Sequence, residues 1–260
     1  MMDIAESIPR HFGGDGEIVD QKNLEAVVRE VLDAMEGKSV DDFSARQQGA
    51  GLYEDAVAEE AAAEEAAAVI HALERVRAAG TLHFDSCVVV RGSGLRAMLC
   101  IAALRTSGIG AVTALIEDVE HMALAGRMGA AGVVVRSVYA DPEELCAAVE
   151  RSFGGELADV GFQCSDSPEA HGEMYRCIRS GGVLCELGLT KGGRSTAVDP
   201  YFAFCEKEMT VIGAGGGTPR DRKVAQAFLR RAREAGIPLD ELDIIGRTVP
   251  EKQAVRKEET

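Results

Sequence analysis

From residue 82 onward the chain alternates short β-branched runs with stretches of helical apolar spacing, and glycine, proline and aspartate punctuate the joins. Cys87-Val88-Val89-Val90 reads as a buried strand, Gly92-Ser93-Gly94-Leu95-Arg96-Ala97 as a turn, and 97–107 as a helix. A strand over 111–116 and a helix over 119–128, closed by Gly129, make the second unit. The strand at 132–135 leads to Asp141-Pro142-Glu143-Glu144, an N-cap aspartate with proline at the first helical position and a glutamate placed for a capping box. The fourth strand covers 159–164. Ser167-Pro168-Glu169 then caps a helix to Ser180, which Gly181-Gly182 stops before a fifth strand over 183–188. A sixth strand spans 209–214, and Thr218-Pro219-Arg220-Asp221 starts a helix to Glu234, ended by Gly236 and followed by Pro238. This pattern predicts an α/β fold: a Rossmann-type, doubly wound, six-stranded parallel sheet covered on both faces, in the order 3-2-1-4-5-6.

Ahead of this the pattern is helical or irregular. Leu24, Val27, Val28, Val31, Leu32 and Met35 form one stripe opposite Glu25, Arg29, Glu30 and Asp33, and Gly37 ends that helix. Residues 38–51 are polar and without period, as in a linker. Residues 53–79 form a long alanine- and glutamate-rich helix stopped by Gly80. The expected organisation is an N-terminal helical or irregular extension over 1–52, a long linker helix over 53–81, a Rossmann-type domain over 82–246 and a tail over 247–260. The stripe on 24–35 packs within its own region or on the long helix; the alternative is a docking surface for a partner subunit.

Composition narrows the function classes. With 46% apolar and 27% charged residues the chain is globular, and no apolar run is long enough to cross a bilayer. The first ten residues carry Asp3 and Glu6 and no apolar block, so the expected compartment is the cytoplasm. The net charge is −15, and residues 1–80 hold 18 acidic against 7 basic side chains. Such a balance repels phosphate backbones and anionic lipid, which argues against nucleic acid and membrane partners. Seven cysteines stand singly, without Cys-x-x-Cys, and suggest neither a disulfide framework nor a zinc ribbon.

The candidate chemistry lies in the first strand-to-helix turn. Glycines there let the backbone turn sharply and approach a pyrophosphate, whose charge the unpaired helix amides stabilise. Gly92, Ser93, Gly94 and Leu95 form that turn, and Ala97 fills the third fingerprint position, where helix and strand pack closely. The bland alternative is a tight turn with no ligand. Glu117 and Asp118 follow the second strand, where an acid holds the adenosine ribose. Two carboxylates and no nearby cation favour NAD over NADP, with Glu117 as the ribose-binding candidate. His71, His83, His121 and His171 fall on unrelated elements, so none is assigned a catalytic role. Cys164 and Cys185 end neighbouring strands near the crevice, either as ligand contacts or as buried structural thiols.

From Ala63 to Ala254 the chain resembles the zinc-type medium-chain dehydrogenase/reductases, the superfamily of alcohol, sorbitol and threonine dehydrogenases. The likeness rests on Ala63-Glu64-Glu65-Ala66-Ala67-Ala68-Val69-Ile70-His71-Ala72-Leu73, the turn from Cys87 to Ala97, Ala158-Asp159-Val160, Ser167-Pro168-Glu169-Ala170, Gly181-Gly182-Val183-Leu184-Cys185-Glu186-Leu187-Gly188 and Lys207-Glu208-Met209-Thr210-Val211-Ile212-Gly213. It implies NAD(P)-dependent oxidation of an alcohol or reduction of a carbonyl by hydride transfer, with a zinc polarising the substrate oxygen. Residues 1–62 contain no cysteine and no Gly-His-Glu, and Glu64, which matches a family glutamate near the metal, has no Cys or His beside it. No zinc site is therefore expected, and the metal-dependent catalytic domain is not recognisable. The turn departs from the family as well. Arg96 replaces a small apolar residue behind the nicotinamide, Ile116 falls where the ribose acid belongs, and Asp166 replaces a glycine. Arg96 contacts a phosphate, pairs with Asp166 or is simply exposed. The expected function is an NAD(P)-binding oxidoreductase-type domain; the alternative is a non-catalytic nucleotide-binding or assembly subunit. The family's habit implies a homodimer through the sixth strand.

Overall fold

A computed structural model describes residues 51–188 and 198–242 of the 260-residue chain, with side chains from residue 60 onward. The helix expected over 24–35, the linker residues 38–50 and the tail over 247–260 lie outside the described residues. Within them run α1 (Gly51–Ala78), β1 (Val88–Arg91), α2 (Leu95–Thr106), β2 (Val112–Ile116), α3 (Met122–Met128), β3 (Gly132–Val135), α4 (Pro142–Ser152), β4 (Ala158–Gln163), α5 (Glu169–Cys177), β5 (Ile178–Glu186), β6 (Thr210–Gly213) and α6 (Pro219–Glu234). The six strands form one sheet in the order β3-β2-β1-β4-β5-β6, and every pairing is parallel. The doubly wound Rossmann-type sheet is thus present as its pattern predicts.

Parallel strands need crossover helices, so both faces are covered and the strands carry apolar residues on both sides. Val88, Val90, Ala114, Val160 and Phe162 point to one face, where α1, α2, α3 and α6 lie; Val89, Leu115 and Leu184 point to the other, against α4 and α5. Helix α2 is buried on every side from Ala97 to Leu104, because the sheet lies beneath it and α1 and α6 lie against its other flanks. That accounts for its lack of a polar stripe. Helix α1 turns Ala66, Val69, Ile70, Leu73 and Val76 inward and leaves Glu64, Glu74 and Arg77 outside. It closes at Gly80, whose φ of +75° is the left-handed stop glycine adopts without strain.

Local capping follows the sequence at two of three helices. The Asp141 carboxylate accepts from the Glu143 amide at 2.7 Å. Thr218 and Asp221 form a reciprocal capping box at α6. At α5 the expectation fails: Pro168 holds the cap position with no side-chain bond to the backbone, and Ser167 Oγ donates to Glu169 at 2.5 Å. The end of α5 is corrected too. It stops at Cys177, and Gly181 and Gly182 lie inside β5 instead of terminating a helix. The Lys207 ammonium donates to the carbonyls of Tyr175 at 2.9 Å and Arg176 at 3.2 Å, and to that of Ile178, so a distant cation satisfies the helix end. Among the described residues no helix is long and apolar enough to cross a membrane.

Gly217, between β6 and α6, is where α1 approaches closest. A Cβ there would stand 2.5 Å from the Ala67 Cβ and 2.8 Å from its carbonyl carbon, whereas one on Gly216 would meet nothing within 4 Å. Neither glycine has positive φ. Gly217→Ala should therefore destabilise the fold by about 1–3 kcal/mol through overpacking, and Gly216→Ala should be neutral or slightly stabilising through reduced unfolded-state entropy. Urea unfolding midpoints check this; equal effects at the two positions would refute the close approach.

Candidate functional site

The sheet order places β1 and β4 side by side while their outgoing chains leave for opposite faces, so a crevice opens above their carboxyl ends. Its floor is the turn at Gly92. That residue has φ +130°, and a Cβ on it would lie 3.2 Å from both the Cys164 carbonyl carbon and the Ser165 amide nitrogen. Only glycine suits both the conformation and the spacing. Ala97, fully buried, packs 3.4 Å from the same point, so the third fingerprint position closes the turn from the helix side. Gly94 is the N-cap of α2, and a Cβ there would meet nothing within 4 Å. The first intrahelical bond runs from the Met98 amide to the Gly94 carbonyl at 3.1 Å. The amides of Leu95, Arg96 and Ala97 therefore precede the helical ladder and have no acceptor within it.

Two of the expected site residues are tied to each other. Ser93 Oγ accepts from the Glu117 amide at 2.9 Å, and the Gly92 amide donates to the Leu115 carbonyl at 2.9 Å, so the turn is fastened to the end of β2. Glu117 is 40% exposed, and its carboxylate pairs with Arg91 Nη1 at 2.7 Å, so the expectation of no cation near this acid fails: Arg91 ends the neighbouring strand. Arg91, the last residue of β1, is 2% exposed. Its Nε and Nη2 donate to Glu173 at 3.3 and 3.2 Å, and Arg136 donates to the other oxygen of the same carboxylate at 2.5 Å. A buried guanidinium is tolerated only with its charge paired and its donors used, and these two carboxylates do that. Sequence reasoning missed this network. The available signal was an arginine ending the run Val88-Val89-Val90, where a strand buried on both faces calls for an apolar side chain.

Arg96 is 32% exposed, and its hydrogen-bonded partner is Glu65, with the Asp166 charge close by. Its guanidinium grips Glu65 of α1 at 2.5 Å from Nε and 3.0 Å from Nη2, and also donates to the Leu187 carbonyl just beyond β5. The Glu65 hydrogen bond pushes the guanidinium pKa above its ordinary value, burial pulls it back, and the Glu65 and Asp166 charges add to the rise. Beyond this pair lies a hollow of about 250 Å³, lined by Glu64, Glu65, Ala67, Ala68, Arg96, Gly215, Gly216, Gly217 and Arg222. Glu64 pairs with Arg222 at 3.3 Å across its rim.

The other candidates serve packing. His71, half-buried, bonds Asp221 at 3.0 Å, joining α1 to the start of α6, and the buried His171 bonds the buried Glu186 at 2.7 Å. Cys185 is fully buried, and burial, with the nearby Cys164 and Glu186, pushes its thiol up to about 12, far from a reactive thiolate. Among the described residues no three His, Cys, Asp or Glu side chains gather to hold a metal. Glu64 and Glu65, the acids nearest the crevice on α1, are each engaged by an arginine. That donor set does not fit a zinc ion, which needs Cys, His or carboxylate ligands converging without cations among them.

Comparison with known proteins places this geometry. L-threonine 3-dehydrogenase of Chromobacterium violaceum is 30% identical over 114 residues, 43% of this chain and 31% of that protein. An alcohol dehydrogenase from Thermotoga maritima superposes with a TM-score of 0.61 at 19% identity, over 68% of this chain and 47% of the other. A zinc-binding dehydrogenase from Sinorhizobium meliloti, solved bound to NADP, gives 0.56 at 23% identity, over 65% and 48%. The matched part of this chain thus spans about a third of that curated relative and about half of the solved chains. The family model described as zinc-binding dehydrogenase matches residues 97–232, just over half of the sequence, and the chain accordingly belongs to the zinc-binding dehydrogenase family, within the zinc-type medium-chain dehydrogenases.

Proposed function

We propose that the crevice between the β1 and β4 ends binds a nicotinamide dinucleotide through its ADP half, as the cofactor-binding part of a medium-chain oxidoreductase. The observation that carries this is the turn itself. Gly92 brings the backbone against β4, and the amides of Leu95, Arg96 and Ala97 open α2 without intrahelical acceptors, beneath a crevice at the point where the strand order reverses. A diphosphate there accepts hydrogen bonds from those amides and gains from the positive end of the helix. When bound, the cofactor supplies the hydride acceptor or donor. The chain's own residues bind and orient it: Gly92, Gly94 and Leu95 cradle phosphate, Ala97 keeps the turn tight, Ser93 fastens it to β2, and Glu117 takes the ribose hydroxyls. Because Glu64 and Glu65 are engaged by arginines and do not fit a zinc ion, polarisation of a substrate oxygen falls to other groups, on this chain or a partner subunit. All seven cysteines are free thiols, which suits the cytoplasm.

NAD is favoured over NADP. Arg91 holds one Glu117 oxygen at 2.7 Å, fixing the carboxylate at the end of β2, where a 2′-phosphate would meet negative charge. A second reading, nucleotide binding without hydride transfer, is favoured by the Arg96–Glu65 pair in the other half of the crevice.

The sixth strand leaves an edge. Within the described residues β6 pairs only with β5, and Val211 on it and Phe204 and Tyr201 ahead of it are exposed. An open edge beside exposed apolar side chains suits pairing with a second copy about a two-fold axis.

Thermal-shift titration tests the cofactor. A native-state ligand at about a hundred times its dissociation constant adds about 2.7 kcal/mol, a rise of roughly 5–10 °C for a domain of this size. NAD(H) should give this rise and NADP(H) a smaller one; no rise with any of the four removes the proposal. Glu117→Ala should weaken NADH binding about tenfold, as expected for a lost charged hydrogen bond, and should narrow the gap to NADPH. Static light scattering tests the edge. The wild type should be a dimer and Val211→Lys a monomer, and a monomeric wild type at high concentration would count against the pairing.

A further inference from the structure

The doubly wound sheet binds a dinucleotide across its crevice, adenosine toward β2 and the remaining half over β4 and β5. The adenosine half is open: Gly94 faces free space and Glu117 is 40% exposed. At the other half an ion pair stands, Arg96 and Glu65, each 32% exposed. From the second residue of α2, Arg96 reaches the Leu187 carbonyl at the carboxyl end of the sheet and clasps Glu65 of α1. Leu187 is held there, its amide donating to the Gln163 carbonyl at 2.9 Å. Nicotinamide is a flat ring that needs an apolar face and free backbone groups for its carboxamide, and in oxidised form it carries a positive charge. At this position it meets a guanidinium, a carboxylate and a carbonyl already bonded. A diphosphate gains from the same arrangement, because the guanidinium lies on the helix whose first turn would hold it.

We propose that the crevice selects a nucleoside diphosphate whose distal phosphate carries nothing larger than a ribose, the class of ADP and ADP-ribose, and that the Arg96–Glu65 pair is a latch excluding nicotinamide. This rests on the second reading above, nucleotide binding without hydride transfer, and names its ligand class. In the wild type the latch makes nicotinamide contribute nothing to affinity. Opening it lets the ring enter.

Isothermal titration of the full chain with ADP, ADP-ribose, NAD+ and NADH reads this directly. ADP-ribose should bind the wild type at least as tightly as NADH. In Arg96→Ala, and separately in Glu65→Gln, which keeps the guanidinium but weakens its clasp, the NADH to ADP-ribose affinity ratio should rise about tenfold, a change of 1.4 kcal/mol. Unliganded melting temperatures of the two variants show whether each is folded. NADH binding the wild type about tenfold tighter than ADP-ribose, or a ratio unmoved in both folded variants, would overturn the latch while leaving dinucleotide binding intact. Absence of binding by all four ligands would overturn the crevice itself and the latch with it.

Discussion

The close approach of β1 to β4 at Gly92 is the constraint on which the crevice depends. Two parallel strands lie side by side, their chains leave for opposite faces, and the gap between the departing chains is set by how near the backbones come. With 3.2 Å from a would-be Cβ to two backbone atoms of the β4 exit, any side chain at Gly92 would force the strands apart. Such a shift would carry the first turn of α2 with it, and with that turn the amides of Leu95, Arg96 and Ala97. The same turn is fastened to β2 through Ser93 and Leu115, so the local geometry is determined from both flanking strands.

Beneath the turn lies a charge the fold has to support. Arg91 is nearly inaccessible at the last position of β1, and the cost of removing a guanidinium from water is offset only because Glu117, Glu173 and the Leu115 carbonyl use its donors. Arg136 balances the second acid. The arrangement draws together residues from the ends of β1, β2 and β3 and from α5, so the ends of these elements are fixed relative to one another. Glu117 belongs to this network and to the crevice at once. Its orientation is inherited from a buried arginine, and a substitution meant to probe ribose binding also disturbs the interior.

Most of the architecture was legible because it rests on periodicity. Strand runs such as Val88–Arg91 and Val112–Ile116, and the cap-proline signals at Asp141 and Thr218, depend on neighbours in sequence, and the order of the sheet follows from handedness once the strands are counted. The end of α5 was not legible, because Lys207, thirty residues away from the helix end, supplies the cap that stops it at Cys177. The site divides in the same way. Gly92, Gly94 and Ala97 announce themselves by spacing, whereas Arg91, Glu173 and Glu65 act through contacts between distant segments, and nothing in a run of residues names a partner. Arg96 stands out in the sequence as a departure from the family, but no spacing names Glu65 as the acid it holds. The long helix brings Glu65 to it, beside the Asp166 charge.

That helix ties the packing of the sheet to the Arg96–Glu65 pair. Helix α1 is held against the sheet by small residues at close range, Ala67 over Gly217, and by polar ties from His71 to Asp221 and from Arg75 to the Gly213 carbonyl at 2.5 Å. These contacts fix the helix from Ala67 to Arg75, and Glu65, two residues before Ala67, is held beside Arg96 as a consequence. Loosening α1 would withdraw Glu65 from Arg96 and free the guanidinium without any change at the nucleotide turn. The packing that covers one face of the sheet and the identity of the group at the far half of the crevice are therefore set by the same helix. A change in how α1 docks would alter both together.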